Sequence, residues 1–213
     1  MEILYEDDRL WLCVKPVGLS SEENGERPSV PLYLKQRGAV YVGTVHRLDV
    51  VTGGVMVYAK DPASAAALSA AFAEGKADKE YLAVIEGRPE KTSDTLTDLL
   101  FHDRRSGKSF AVSRPRKGAK EAILDYTLLE TVETPKGFRS LLRIRLHTGR
   151  THQIRAQFAS RKLPLCGDGR YGGRDNACSP ALWCHSLSVA NVKGISLPPD
   201  QYPWNLFSGI SAL

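Results

Sequence analysis

From Leu142 to His147 the sequence alternates without a slip: Leu142, Ile144 and Leu146 on one set of positions, Arg143, Arg145 and His147 on the other. Successive side chains of a strand point to opposite faces, so this run belongs on a sheet with one apolar and one basic face. Such a sheet must bury its apolar side against another layer, and that requirement governs the rest of the chain. Strand-like runs at 2–5, 10–15, 40–43, 55–60, 79–87, 120–132, 138–147 and 182–190, with one more inside 92–103, outnumber the helical ones. Turn signals at 6–9 and 133–137 join neighbouring runs as hairpins. Helices are expected at 29–37, stopped by Gly38, and at 63–74, where Asp61 is the N-cap and Pro62 the first helical residue. A third is expected to open at 147 and run to 160, with Ile154 and Phe158 on its buried face. Segment 104–118, basic and punctuated by Gly and Pro, reads as a surface loop. The fold class is α+β, with a mixed, largely antiparallel central sheet flanked by helices and loops. The 213 residues suit one large domain or two closely joined lobes, and no linker splits off a separate domain.

The net charge is +5, a mild lean toward polyanionic partners. Its distribution says more. Residues 1–30 hold seven acidic side chains and three basic ones, whereas residues 139–162 hold seven basic and no acidic side chains. Residues 103–120 add seven more basic ones against Asp103. That asymmetry is the electrostatic footprint of a nucleic-acid binder. Four cysteines are too few for a disulfide scaffold of this length, and the acidic N-terminus lacks a signal-peptide core. No apolar run approaches the ~20 residues that span a bilayer. These features place the chain in the cytoplasm with reduced thiols.

The stretch 45–54, Val-His-Arg-Leu-Asp-Val-Val-Thr-Gly-Gly, puts His46, Arg47 and Asp49 at the junction of two apolar runs. Ionisable groups there cost desolvation energy unless they are paired or used. Zinc chemistry is disfavoured: His147, His152, Cys166, Cys178, Cys184 and His185 include no C-x₂-C pair and no H-E-x-x-H. A two-carboxylate glycosidase needs a second acid, and no spacing selects Asp168 or Glu80 for it. No glycine-rich P-loop is present. What remains is a single aspartate among arginines, open to two readings: a structural ion pair, or a carboxylate kept ionised for nucleophilic attack.

His46-Arg47-Leu48-Asp49-x-x-Thr52-x-Gly54, followed by an apolar strand and Ala59-Lys60, resembles the signature of the RluA-type pseudouridine synthases. Further matches follow in the family's order: Lys15-Pro16-x-Gly18-Leu19, Lys79-x-Tyr81-x-Ala83, Gly149-Arg150-Thr151-His152-Gln153-Ile154-Arg155, Gly167-Asp168-x-x-Tyr171-Gly172 and the late His185. The resemblance implies the pseudouridine synthase fold with a catalytic cleft, as a single catalytic domain over 1–213 without the small S4-type RNA-binding domain of many relatives. It implies isomerisation of uridine in a tRNA or rRNA stem-loop, with RNA as the partner, no metal or organic cofactor, no membrane, and a monomer as the working unit. Asp49 would attack the target nucleotide, Tyr81 would stack on the uracil and serve as base, and Arg155 would pair with Asp49. Arg47 would fill the space left by the extruded uridine. His46, Lys79, Arg150, His152 and Gln153 join it as RNA-facing residues, with Arg104, Arg105, Arg114 and Arg116 of the basic loop; His46 is also expected to bond within its own loop. Two departures stand out. The family's Thr-Ser-Gly is Thr52-Gly53-Gly54 here, and Leu124 replaces a threonine in the strand that carries Lys120, Ala122 and Tyr126. The alternative reading is a catalytically silent RNA-binding protein on the same scaffold.

Overall fold

The computed structural model describes residues 1–25 and 27–213. In chain order the strands are β1 (Ile3–Glu6), β2 (Leu10–Lys15), β3 (Gly43–Thr44), β4 (Gly53–Ala59), β5 (Asp78–Glu86), β6 (Ser93–Asp103), β7 (Lys108–Val112), β8 (Ala119–Thr134), β9 (Gly137–Leu146), β10 (Leu182–Val189) and β11 (Val192–Ile195). The α-helices are α1 (Val30–Gln36), α2 (Pro62–Ala73) and α3 (Gln153–Ser160). This is the expected α+β make-up, largely antiparallel. Two compact units divide the chain: Met1–Glu80 with Trp183–Pro198, and Tyr81–Leu182 with Pro199–Leu213. No helix among the described residues is long and apolar enough to cross a membrane.

In the first unit the strand order is β1-β2-β4-β10, with β3 also pairing β4 and β11 pairing β10. β2 and β4 run antiparallel from Leu10↔Ala59 to Lys15↔Gly54. β10 meets β4 in parallel, at Trp183↔Gly53 and Cys184↔Gly54. All seven residues of β4 are buried, as its unbroken apolar run requires of a strand covered on both faces. Leu10, Leu12, Val55, Val57, Leu187 and Val189 form a core with Leu68 of α2. The start of α2 is as expected: the Asp61 carboxylate accepts from Ser64 N at 2.9 Å, a cap worth about 1 kcal/mol.

In the second unit, counting β5 from Tyr81 on, the order is β5-β9-β8-β6-β7. β8 and β9 pair from Leu124↔Leu146 to Thr134↔Gly137, with a register irregularity at Leu128/Glu130. Leu142 and Ile144 are buried while Arg145 and His147 are exposed, so the alternation is realised. Ile154 and Phe158 of α3 are buried as expected, and Ala156 packs on Leu100 and Ala122.

Two expectations need correcting, and one further strand has no counterpart in the sequence reading. The third helix opens at Gln153 rather than at 147, because His152 is left-handed at φ +53°. The Gln153 side chain accepts from Arg150 N (3.0 Å) and Thr148 Oγ1 (2.8 Å), which shapes the segment before the helix into a turn. The basic segment 104–118 is not all loop: Lys108–Val112 pairs back on β6 from Asp103↔Lys108 to Leu99↔Val112. Five residues set among charges carry little pattern of their own, and the register of β6 supplies what they lack. Last, β11 follows β10 through Ala190 and Asn191, both at positive φ (52° and 63°). Such a two-residue turn is usually announced by Asn-Gly, and this sequence carries no such signal.

Candidate active site

Asp49 sits half-buried in the loop between β3 and β4, in the first unit. Two residues from the N-terminal segment hold that loop. The Ser21 hydroxyl donates to Leu48 O at 2.7 Å and accepts from Leu48 N at 3.0 Å. Lys15 is fully buried, and its ammonium donates to Leu19 O (2.8 Å), Pro16 O (3.1 Å) and Val50 O (3.4 Å). Burial pushes the Lys15 pKa down to about 8, and the Asp49 carboxylate opposes that fall. Gly18 N also donates to Val50 O, and Thr52 N closes a turn on Asp49 O at 2.9 Å. The carboxylate is thus carried on a backbone fixed on both sides.

His46 accepts from Val57 N at 3.1 Å and stacks on Phe72 with ring centres 4.6 Å apart. Burial, with the Lys79 ammonium nearby, pushes its pKa down to about 3, so the ring is neutral at pH 7. His46 therefore holds its own loop, as expected, through a bond to β4 and a stack on α2. Lys79 lies over the Phe72 ring at 5.7 Å. Arg47 is exposed and pairs with Glu22 at 3.1 Å, with side chains 64% and 52% exposed. An ion pair so wet contributes little and is readily exchanged for a phosphate.

The structure accounts for Gly53. A Cβ there would lie 2.2 Å from the Trp183 ring, and one on Gly54, at φ +118°, would lie 2.2 Å from Cys184 O. Where the family has a small hydroxyl, this chain lays an indole. Gly53→Ser is expected to cost about 1–3 kcal/mol by forcing Trp183 aside, measured as a lower midpoint in urea.

The second unit holds Tyr81, buried on β5, and Arg155, 4% exposed on α3. Asp168, fully buried, forks Arg155: Nε donates to Oδ2 at 2.7 Å and Nη2 to Oδ1 at 2.9 Å. This bidentate geometry fixes the guanidinium plane. Arg155 Cζ stands 4.9 Å from the centre of the Tyr171 ring. The Tyr171 hydroxyl accepts from Ser109 N at 2.8 Å and lies 2.9 Å from His152 Nδ1. The buried Ser109 hydroxyl donates to Thr151 O at 2.6 Å. Sequence reasoning offers Arg155 no acid other than Asp49 and so misses Asp168 as its partner. The one signal that could have found it is the Gly167-Asp168 motif.

Of the remaining candidates, Arg104, Arg105, Arg114 and Arg116 are all exposed on and beyond the β6–β7 hairpin, with Arg116 Cζ 3.8 Å from the centre of the Phe101 ring. Gln153, by contrast, is buried, and its amide donates to Ile123 O at 3.1 Å. Its amide is thus engaged at both ends within the fold. Arg150 Nε donates to Glu121 O at 2.7 Å. The basic segment 139–162 is also less available than its charge suggests. Arg139 is buried against Asp175 at 3.2 Å and Arg161 pairs with Asp98 at 2.8 Å, so neither offers its charge outward without breaking a pair.

The fold resembles that of two human structures. RNA Pseudouridylate Synthase Domain Containing 1 superposes with a TM-score of 0.82 at 22% identity, covering 95% of this chain and 84% of that one. RNA Pseudouridylate Synthase Domain Containing 4 gives 0.76 at 22% identity, covering 93% and 88%. Residues 9–160 match the family model for RNA pseudouridylate synthase, and the chain belongs to that family. An RNA pseudouridine synthase of Aquifex aeolicus is 35% identical over 192 residues, 85% of this chain and 59% of that protein. The ribosomal large subunit pseudouridine synthase D of Borreliella burgdorferi is 29% identical over 200 residues, 88% of this chain and 60% of that protein. The chain thus spans about 60% of the length of these relatives.

Proposed function

We propose that this protein isomerises a uridine of a structured tRNA or rRNA to pseudouridine, with Asp49 as the attacking carboxylate. The observation that carries the reading is Asp49 itself, on a loop whose backbone is pinned by Ser21 and Lys15, in a chain of this family. The target base must leave its stack before a side chain reaches C1′ or the ring, at a cost of a few kcal/mol. Arg47, loosely paired and exposed, is suited to occupy the vacated space. The glycosidic bond then breaks, uracil turns, and a C5–C1′ bond forms. Tyr81 supplies the surface for the uracil and the base for the final proton. The family resemblance gives Arg155 the role of the cation that orients the carboxylate. The protein works as a cytoplasmic monomer and needs no cofactor. The test is turnover: purified protein is incubated with unmodified tRNA and rRNA transcripts, and pseudouridine is read by mass spectrometry of the digests. Pseudouridine in one defined stem-loop is the expected result. RNA that binds but is never modified leaves only the silent binding protein.

The exposed arginines of the β6–β7 hairpin and the segment after it would hold phosphates. Changing Arg104, Arg105, Arg114 and Arg116 together to alanine is expected to weaken RNA binding. It is also expected to flatten log Kd against log salt by about 0.7–0.9 for each phosphate no longer held. Filter binding across a salt series measures it. An unchanged slope makes that region a bystander.

A further inference from the structure

In the second unit, outside every residue given a role above, the sulfurs of Cys166 and Cys178 lie 3.9 Å apart. Cys166 is buried and Cys178 half-buried. The backbones approach so closely that a Cβ on Gly167 would meet Cys178 O at 2.5 Å and Cys178 Sγ at 2.8 Å. Both ends of the segment are anchored: Ala181 N donates to Cys166 O at 2.8 Å, and Glu86 accepts from Arg174 N and Asp175 N at 2.9 and 3.0 Å. The Tyr202 hydroxyl lies 3.8 Å from Cys166 Sγ. A disulfide needs its sulfurs at about 2.05 Å, so the segment between the two cysteines must shift to close the gap.

We propose that Cys166 and Cys178 form a reversible dithiol site, oxidised by a low-molecular-weight disulfide, which locks the segment carrying Asp168 and Tyr171. The more exposed partner, Cys178, meets the small disulfide first, and because its contact with Cys166 and its burial push its thiol pKa up, this is the slow step. Cys178 attacks the small disulfide RSSR, giving Cys178–S–SR and RSH, which leaves with the Cys178 proton. The Cys166 thiolate then attacks Cys178 Sγ and expels RS⁻, which takes up a proton. Two protein thiols are oxidised to one disulfide, and RSSR is reduced to two RSH. In the reduced protein the Cys178 S–H, the Tyr202 hydroxyl and the Arg139 guanidinium favour the Cys166 thiolate, and the last two remain for the second step once Cys178 has lost its proton. The cross-link joins residues twelve apart, and Asp168 lies two residues from one end of it. Drawing the sulfurs together pulls on the carboxylate that forks Arg155, so oxidation slows turnover. That consequence rests on the reading of Arg155 as a site residue; the thiol chemistry does not.

The whole protein is incubated with oxidised glutathione, alkylated, and weighed intact, with Cys13 and Cys184, both buried, as internal controls. The expected product has lost two hydrogens, resists alkylation at Cys166 and Cys178, and reverts with dithiothreitol. Cys166→Ser is expected to retain one glutathione on Cys178, and Cys178→Ser to form no internal disulfide. The oxidised protein is expected to melt about 5–10 °C higher and to turn over RNA about tenfold more slowly, or worse. A wild-type protein that keeps glutathione on Cys178, or leaves both thiols open to alkylation, overturns the site. A disulfide form that turns over as fast as the reduced form overturns its coupling to Arg155. A reduced protein inactive on every RNA instead overturns the isomerase reading, a failure told apart because the cross-link is read by mass.

Discussion

Asp49→Asn is expected to yield a folded protein that binds RNA and modifies none of it. The amide keeps the shape of the carboxylate and loses its nucleophilicity, so turnover should fall about 10⁴-fold or more. RNA affinity should hold within about twofold, because phosphates supply most of it. The loop should also hold. Its fixing contacts run through Leu48, Val50 O and the Asp49 carbonyl, none of which changes. A second signature separates this variant from a merely damaged one. Lys15 has a folded pKa near 8, below the ordinary lysine value, and the Asp49 carboxylate keeps it from falling further. Because the folded pKa lies below the unfolded one, the unfolded state binds more protons between about pH 8 and 10.4, and stability rises with pH there. Removing the carboxylate deepens the penalty for a charged Lys15 at neutral pH and adds nothing once Lys15 is already neutral in the folded state. The melting temperature of Asp49→Asn should therefore trail the wild type more at pH 7 than at pH 10. Wild-type turnover in this variant would end the nucleophile assignment.

What the sequence shows of this site depends on how local the physics is. The α2 cap, the covered strand β4 and the alternation of β9 rest on residues within a few positions of one another, and all three are legible. Asp49 is legible because three ionisable groups at a strand junction demand an explanation on their own. Its supports are not. Ser21 reaches Leu48 across 27 positions and Lys15 reaches Val50 across 35, and nothing in either residue's neighbourhood announces the contact. The arginines show the same limit from the other side. Summed charge makes 139–162 a basic stripe, yet Arg139 and Arg155 are buried against acids 36 and 13 positions away. Net charge counts side chains without knowing which are already neutralised.

The Arg155–Asp168 pair carries the other large expected effect. Asp168→Ala leaves a guanidinium buried without its forked acid, a change expected to cost about 3–5 kcal/mol. That is a large share of an ordinary domain's stability of about 5–15 kcal/mol, so an inactive Asp168→Ala protein alone would say little about catalysis. The informative comparison is the double variant Arg155→Met with Asp168→Leu. With both members of the fork gone, neither is left buried without the other, and replacing a buried pair by apolar side chains is often neutral or better. Thermal stability is therefore expected to return most of the way to wild type. Activity is expected to stay absent, because Arg155 is proposed to orient Asp49, and methionine does not. A rescued fold with rescued turnover would make Arg155 a structural residue and leave Asp49 to be oriented by its own loop. A rescued fold without turnover separates the two roles of the pair: Asp168 holds the arginine, and the arginine serves the reaction.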